Sequence, residues 1–306
     1  MESEWSEEVL FPSANAVGYR LIFEAETWLR RICWAALLLS EGPAWAASLD
    51  NRLRKSLEQQ SKSNSSRWYL GVDAEEELLW STTQGQLASL LRIESIQSRI
   101  RHLCGLNGEL LSQRLQSMSQ IRNILAHNRA ISDDSLTVLK GDLIVIRAAA
   151  KRFKARTLYA QTDIVSLRDE VPDDLYPMLA AFDDLEETVW KRYGQQVFVA
   201  ANQDFIQLVR LPVEPFDSWA DGRKLRAALG MLSHLILCVL ANKDMPEIAI
   251  VLPRNLPSED QLEVLNRFMT RAFLQGVWTA TPPEAQSPAA SGWARLWFYE
   301  NRRPDE

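Results

Sequence analysis

Proline is spread so unevenly along this chain that it sets limits on the fold before any other feature is read. Residues 1–171 contain two prolines, Pro12 and Pro43, while residues 172–306 contain eleven. A proline inside a helix removes a backbone hydrogen bond and clashes with the preceding turn, at a cost of about 3 kcal/mol. The first part is therefore free to form long helices, and the second is punctuated into shorter elements. The reading is a mainly α protein: an antiparallel helical bundle over 1–155, then a smaller α+β domain over 156–306.

Helical periodicity fills in the first part. Val17, Leu21, Trp28, Ile32, Ala36 and Leu39 recur at helical spacing, predicting a helix from Ser13 through Leu39. Gly42-Pro43 breaks the chain. A second helix is expected to about Gln60, closing in a loop over residues 61–66. Trp68-Tyr69-Leu70 reads as a short extended piece. Asp73 with Glu76 has the form of a capping box, starting a helix that Gly85 kinks and that resumes through about Leu103. Gly105 to Gly108 form a turn, and Glu109 to Ile121 lead into the motif treated below. Ser132-Asp133-Asp134 then caps a helix to Lys154, with Val138, Leu139, Leu143, Ile146, Ala149 and Phe153 as its apolar stripe. Leu143–Ile146 alone could form a strand, but the residues after it are helix formers.

The second part mixes periods. Asp174 to Tyr193 is a helix ended by Gly194. Gln196–Ala201 and Phe205–Arg210, joined by residues 202–204, read as a β-hairpin. Arg223 to Leu240 reads as a helix with His234 as a core residue in its stripe. Glu247–Leu252 is a buried strand, and Ser258 with Gln261 caps a helix ended by Gly276. Val277–Thr281 and Ala294–Tyr299 are strands. The part shows no P-loop, no glycine-rich dinucleotide signature and no cluster of metal ligands.

Charge divides with the fold. Residues 1–155 hold 19 Lys+Arg against 18 Asp+Glu. Chain totals of 34 and 40 leave 15 against 22 for the remainder. A polyanion should therefore meet the first part. The three cysteines, Cys33, Cys104 and Cys238, are odd in number and far apart, as expected of buried apolar residues in a reducing compartment. His102-x-Cys104 offers two possible metal ligands without a second pair to complete a site. The acidic start of the chain is opposite in charge to a secretory signal, and Arg30-Arg31 interrupts the longest apolar region. The expectation is a cytoplasmic protein with no membrane partner. The eleven tryptophans are scattered without regular basic neighbours and suit core packing rather than base stacking.

Against this background the stretch Gln120-Ile-Arg-Asn-Ile-Leu-Ala-His-Asn-Arg129 stands apart. Ile121 and Leu125, four residues apart, can anchor it in a core. Asn123 and His127 share a face by the same spacing, while Arg122 lies about 140° from His127 around an ideal helix. Either the arginine curls round or the helix is irregular there. The stretch reads as a partly buried helix end with a polar tip. Guanidinium, amide and imidazole are groups suited to a phosphodiester.

Arg122-Asn123-x-x-x-His127 resembles the R-x4-6-H motif of the HEPN superfamily, and the wording Arg-Asn-Ile-Leu-Ala-His-Asn-Arg resembles one large prokaryotic branch of it. The resemblance covers roughly the first half of the chain. It implies an all-α domain with the motif before its last helix. It also implies a metal-independent endoribonuclease of the toxin or phage-defence type, needing no cofactor. His127 would act as general base, Arg122 would stabilise the phosphorane and Asn123 would orient the phosphate or the imidazole. Arg129 would add charge at the substrate rim. Because one chain carries one motif, a composite site across a homodimer follows. Glu24 or Glu26, on the first helix, can lie near such a cleft. Partners implied are RNA, a second copy and a possible antitoxin or regulatory protein, with the C-terminal domain recognising trigger, partner or target. In some members a tyrosine two residues after the histidine is adenylylated; Arg129 stands there, so that control is not expected. The alternative is a noncatalytic module of the same fold that binds RNA or protein, with Arg122 and His127 serving only to cap helices or pair with glutamates.

Overall fold

The computed structural model describes residues 13–65, 78–159, 162–163, 172–193, 195–212, 219–220, 228–241, 248–270, 278–279 and 297–299. Its helices are α1 Ser13–Glu41, α2 Asn51–Ser65, α3 Gln84–Leu90, α4 Glu94–Cys104, α5 Gly108–Ala126, α6 Asp133–Lys154, α7 Tyr176–Tyr193 and α8 Ser258–Phe268. Its strands are β1 Thr162–Asp163, β2 Gln195–Ala201, β3 Phe205–Pro212, β4 Trp219–Ala220, β5 Cys238–Ala241, β6 Ile248–Pro253, β7 Trp278–Thr279 and β8 Trp297–Tyr299. The protein is mainly α, with a smaller α+β part.

The chain forms two compact units, and neither is one continuous segment. Met1–Cys33 joins Thr83–Arg152, and Trp34–Thr82 joins Phe153–Glu306. The second division falls beside the boundary read from proline. Residues 34–82, assigned to the first domain by that reading, group instead with the C-terminal part.

In the first unit periodicity finds the inward stripes in part: Leu21 and Ile32 are buried as expected, Val17 and Trp28 only half so, and Val138 is 47% exposed. Ile22, Ala25, Leu29 and Ile32 of α1 are buried, as are Leu111, Leu115, Met118 and Leu125 of α5, and Leu139, Leu143, Ile146 and Ala149 of α6. Burying each such aliphatic side chain stabilises by roughly 1.5–3 kcal/mol. The helix starts differ from expectation. A capping box forms at Thr83 and Gln86, each side chain bonding the other's backbone N–H, and it opens α3 with Gly85 in its first turn. Residues 73 and 76 lie outside the described residues, as does the extended piece at 68–70. Leu91–Ile93 separates α3 from α4, so the single kinked helix of the sequence reading is two helices. Gly105, at φ +71°, ends α4, and Asn107 caps α5 by accepting from the N–H of Leu110. Gly108 is required there because a Cβ would collide with the carbonyl oxygen of Leu91.

Ion pairs fix neighbouring helices of this unit. Arg147 of α6 grips Glu24 of α1 with two hydrogen bonds, 2.6 and 2.8 Å, and the carboxylate raises the guanidinium pKa. Arg114 of α5 reaches the buried Asp142 of α6 at 3.2 Å. Glu26 pairs with Arg30, the i,i+4 partner that spacing suggests, and also accepts from Gln84.

The second unit is built on a sheet of order β1-β2-β3-β6-β5-β8, antiparallel except for the parallel β5–β8 pair. Alternation assigns its faces. Val197, Val199, Ile206, Leu208, Ile248 and Ile250 point to a core closed by Met178 and Phe182 of α7 and Leu265 and Phe268 of α8. The opposite face is buried too, with Phe205, Gln207, Val209, Ala249 and Val251 nearly inaccessible. The end of α1 belongs to this unit, where the Leu39 carbonyl accepts from Asn255. Trp34 and Trp45 meet edge to face at 6.3 Å, and both are buried, as core packing requires. β4 and β7 pair separately.

Three sequence readings need correction in this unit. Helix α2 starts at a cap from Asp50, which accepts from the N–H groups of Arg52 and Leu53, and the polar Ser/Lys stretch read as a loop continues the helix to Ser65. Of the helix read over 223–240, Ala228 and Leu229 are helical, but Gly230–Leu235 is a 3₁₀ turn and β5 follows it; residues 221–227 lie outside the described ones. Gly230 adopts φ +55°, and after it the apolar run Leu235–Leu240 enters the sheet between other strands. His234 is exposed rather than part of a helical core stripe. Gln261 does not cap α8; its amide instead donates to the carbonyls of Arg254 and Leu256. The endings expected at Gly194 and Gly276 lie outside the described residues. No helix among the described residues is long and apolar enough to cross a membrane.

Candidate functional site

The candidate site grows out of the way α5 ends. Its inward stripe continues through Ile121 and Leu125, which are buried, and leaves Arg122, Asn123 and Ala126 on the outside. The helix is regular to Ala126, so the irregularity allowed by the sequence reading begins at His127. There the His127 N–H is shared between the carbonyls of Asn123 and Ile124, at 3.3 and 3.2 Å. Asn128 turns to φ +55°, a conformation tolerated best by glycine and next by asparagine. Its N–H then reaches the Leu125 carbonyl at 3.0 Å, and the Arg129 N–H reaches that of Ile124 at 3.2 Å. This is the Schellman arrangement, which satisfies carbonyls that a helix end otherwise leaves open. Asn128 is thus a structural residue inside the motif.

Helix α1 clamps this end. Asn15, 2% exposed, donates to the Arg129 carbonyl at 3.1 Å and accepts from the Ile131 N–H at 3.1 Å. One turn on, the Tyr19 hydroxyl donates to the Leu125 carbonyl at 2.7 Å. Between them Gly18 faces the methyl tips of Leu125, Ile131 and Leu139 so closely that a Cβ would come within 2.8 Å of Ile131. The backbone of the tip is therefore bound from both sides of its turn while its side chains are left outside. Sequence reasoning missed Asn15, Tyr19 and Asn128; the φ preference of asparagine is the one available signal, and it points only to Asn128.

Arg122, Asn123, His127 and Arg129 are all exposed. Among the described residues their side chains make no hydrogen bond and no ion pair. The reading in which Arg122 and His127 pair with glutamates does not hold for those residues, and His127 caps the helix through its backbone, not its ring. Glu24 and Glu26 have Arg147, Arg30 and Gln84 as partners. Residues 122 and 127 are separated by about 7.5 Å along a helix axis, a distance that an arginine side chain can bridge. The helix macrodipole is negative at this end, so it repels an anion. Two guanidiniums must outweigh it, and the Schellman bonds assist by occupying carbonyls that would otherwise face the ligand.

Among the described residues no group of His, Cys, Asp and Glu side chains assembles that could hold a metal ion. Cys33, Cys104 and Cys238 are buried thiols outside any disulfide. Burial pushes the Cys33 thiol up to about 12 and raises that of Cys104, so neither supplies a thiolate near neutral pH. A hollow of ≈ 330 Å³ in the second unit is lined by Leu229, Leu232, Glu263 and Arg267 among others, and Arg267 is engaged there with the Ala228 carbonyl. Comparison with protein-family models, curated proteins and solved structures gives no match to this chain.

Proposed function

We propose that the chain is a cytoplasmic, metal-independent endoribonuclease of toxin or phage-defence type with a HEPN-like active centre, and that Arg122, Asn123 and His127 carry the reaction. The observation behind this reading is the helix tip: two arginines, an asparagine and a histidine, solvent-facing and without side-chain partners among the described residues, on a backbone bonded to α1. Unpaired cations on a rigid mount are what a phosphodiester site needs and what a purely structural motif does not. The near-neutral charge of residues 1–155, beside an acidic remainder, fits RNA at this end of the sequence.

RNA brings its own nucleophile. His127 accepts the proton of a 2′-hydroxyl as its oxygen attacks phosphorus, a step that contributes about 10² to 10⁴ in rate. Arg122 holds two non-bridging oxygens and offsets the charge gathering on the phosphorane, with Asn123 donating to one of them. The P–O5′ bond then breaks, leaving a 2′,3′-cyclic phosphate on one fragment. The departing 5′-oxygen takes a proton and becomes a hydroxyl. Within the 122–129 segment one imidazole serves as base, so the acid comes from a second copy: a homodimer in which two tips face one phosphate. Arg129 extends the positive rim, and an antitoxin or regulatory protein would act by covering it. The C-terminal part would recognise the trigger, partner or target.

The test is incubation of purified protein with RNA in EDTA beside Arg122→Ala and His127→Ala. Cleavage by the unaltered protein, with cyclic-phosphate ends, is expected to fall at least 100-fold in both variants. Equal background in all three ends the enzyme reading and leaves a binding module.

A further inference from the structure

The surface beside the tip has a feature that phosphate chemistry alone does not use. Among the described residues the most exposed aromatic side chain of the first unit is Phe23, at 70%. Tyr19, one turn earlier on the same face of α1, is 38% exposed. Leaving a phenyl ring in water costs free energy that burial would recover, roughly 25 cal/mol per Å². The Tyr19 hydroxyl is bonded to the Leu125 carbonyl, which fixes its ring within one helical turn of His127. Phe23 lies four residues, about 6 Å, further along α1. Both rings lie within the continuous helix α1, so they sit at i and i+4.

The charges around the two rings select the occupant. Arg20 lies between them in sequence, is exposed and makes no hydrogen bond or ion pair among the described residues. Arg122 and Arg129 stand likewise on the adjoining helix end. Glu24, the carboxylate nearest in sequence, is already gripped by Arg147. Asp133 and Asp134 are exposed at the start of α6 and set one edge. Aromatic rings interleaved with uncompensated arginines suit a chain that alternates flat bases with phosphates. A base already stacked within a duplex cannot present its face to them.

We propose that Tyr19 and Phe23 form a stacking platform for one or two unpaired bases flanking the phosphate held at the Arg122–Arg129 tip, so that this site takes single-stranded RNA. Arg20 lies along the backbone leading to the platform. The inference rests on the reading of the tip as an RNA site, but not on cleavage there. Phe23 is a positioning residue: it orients the strand and does not touch the reacting atoms.

The experiment uses the full-length protein with His127→Ala, which leaves oligonucleotides intact, and reads anisotropy of a labelled 12-mer RNA, alone and annealed to its complement. The single strand is expected to bind at least tenfold tighter than the duplex. Adding Phe23→Ala should weaken single-strand binding about 5- to 100-fold, Phe23→Trp should retain it, and Phe23→Leu should not restore it. Light scattering on the same variants tests the other possible occupant, a second copy of the chain. The proposal is overturned by equal affinity for duplex and single strand, by unchanged binding in Phe23→Ala, or by Phe23→Ala converting a dimer to monomers. Cleavage of paired and unpaired RNA alike by the unaltered protein sinks the platform while sparing the nuclease reading. Binding with this ring dependence but no cleavage does the reverse.

Discussion

Arg114 and Arg122 stand two turns apart on α5, about 12 Å along its axis, yet their surroundings differ in kind. Arg114 reaches across to Asp142, whose side chain is 5% exposed, and so holds α5 to α6. Arg147 does the same between α6 and α1 through Glu24. Arg122, like Arg129 beyond the helix end, has no such carboxylate among the described residues. The contrast separates charge committed to the fold from charge available to a ligand. A paired arginine has its field cancelled within a few ångströms. An unpaired one gains nothing for stability where it stands, and its field extends to about the Debye length, near 8 Å at physiological salt.

The comparison breaks first at the tip. Arg122→Ala combined with Arg129→Ala is expected to lower RNA cleavage by more than 100-fold while leaving stability within about 0.5 kcal/mol, since neither side chain holds a partner. Calorimetry beside an RNA cleavage assay checks both halves. A large fall in melting temperature would mean that these arginines belong to the structural set after all.

The opposite behaviour is expected of Arg114→Ala. It leaves the Asp142 carboxylate buried without its partner, and one oxygen of that carboxylate already has no hydrogen bond among the described residues. Breaking a buried pair costs about 3–5 kcal/mol. Arg114 is 43% exposed, so water reaches the pair and the expected loss in urea denaturation is nearer 2 kcal/mol. Arg114→Met with Asp142→Leu should recover most of it, because two apolar groups need no partner. Residual RNA cleavage by the folded fraction should match the unaltered protein in both cases.

How legible these features were depends on their range. The stripes of α1 and α6 repeat over many turns, so periodicity finds most of each, though it takes in the exposed Val138 and passes over Ala25 and Leu29. The run Leu235–Leu240 has apolar residues at helical and at strand spacing alike, and its place in the sheet is decided by strands far away in sequence. The same holds for residues 34–82, where prolines say nothing about partners. At the site, the polar tip on a buried helix end was readable from Arg122 to His127. The clamp by Asn15 was not, because it joins positions 114 and 116 residues apart and an asparagine in a helix carries no mark of it.

Asn128 lies between the two sets, being a motif residue with a structural task. Asn128→Ala forces a Cβ-bearing side chain without an asparagine's local bonding into φ +55°, and about 1 kcal/mol of stability should be lost. Asn128→Gly should be neutral or slightly stabilising. Thermal denaturation ranks the three, and RNA cleavage should follow stability rather than charge.

The smallest effect tests whether pairing behaves alike in the second unit. Arg254 binds both oxygens of Asp174 at 2.6 and 2.7 Å and also the Asn202 carbonyl, linking the start of α7 to the β2–β3 turn. The guanidinium beside Asp174 holds its carboxyl below the usual aspartate value. A carboxyl whose folded pKa is lowered stabilises fully above its unfolded pKa of about 3.9, and the stabilisation fades as pH falls through the folded pKa. Half of the Asp174 side chain faces solvent, so screening keeps the contribution to about 0.5 kcal/mol or less. Asp174→Asn should therefore be slightly less stable than the unaltered protein at pH 7, and the gap should close below pH ~4. High salt should shrink the same gap at pH 7, because an exposed pair is screened by ions. A gap that survives both acid and salt would show that Asp174 stabilises through something other than its charge.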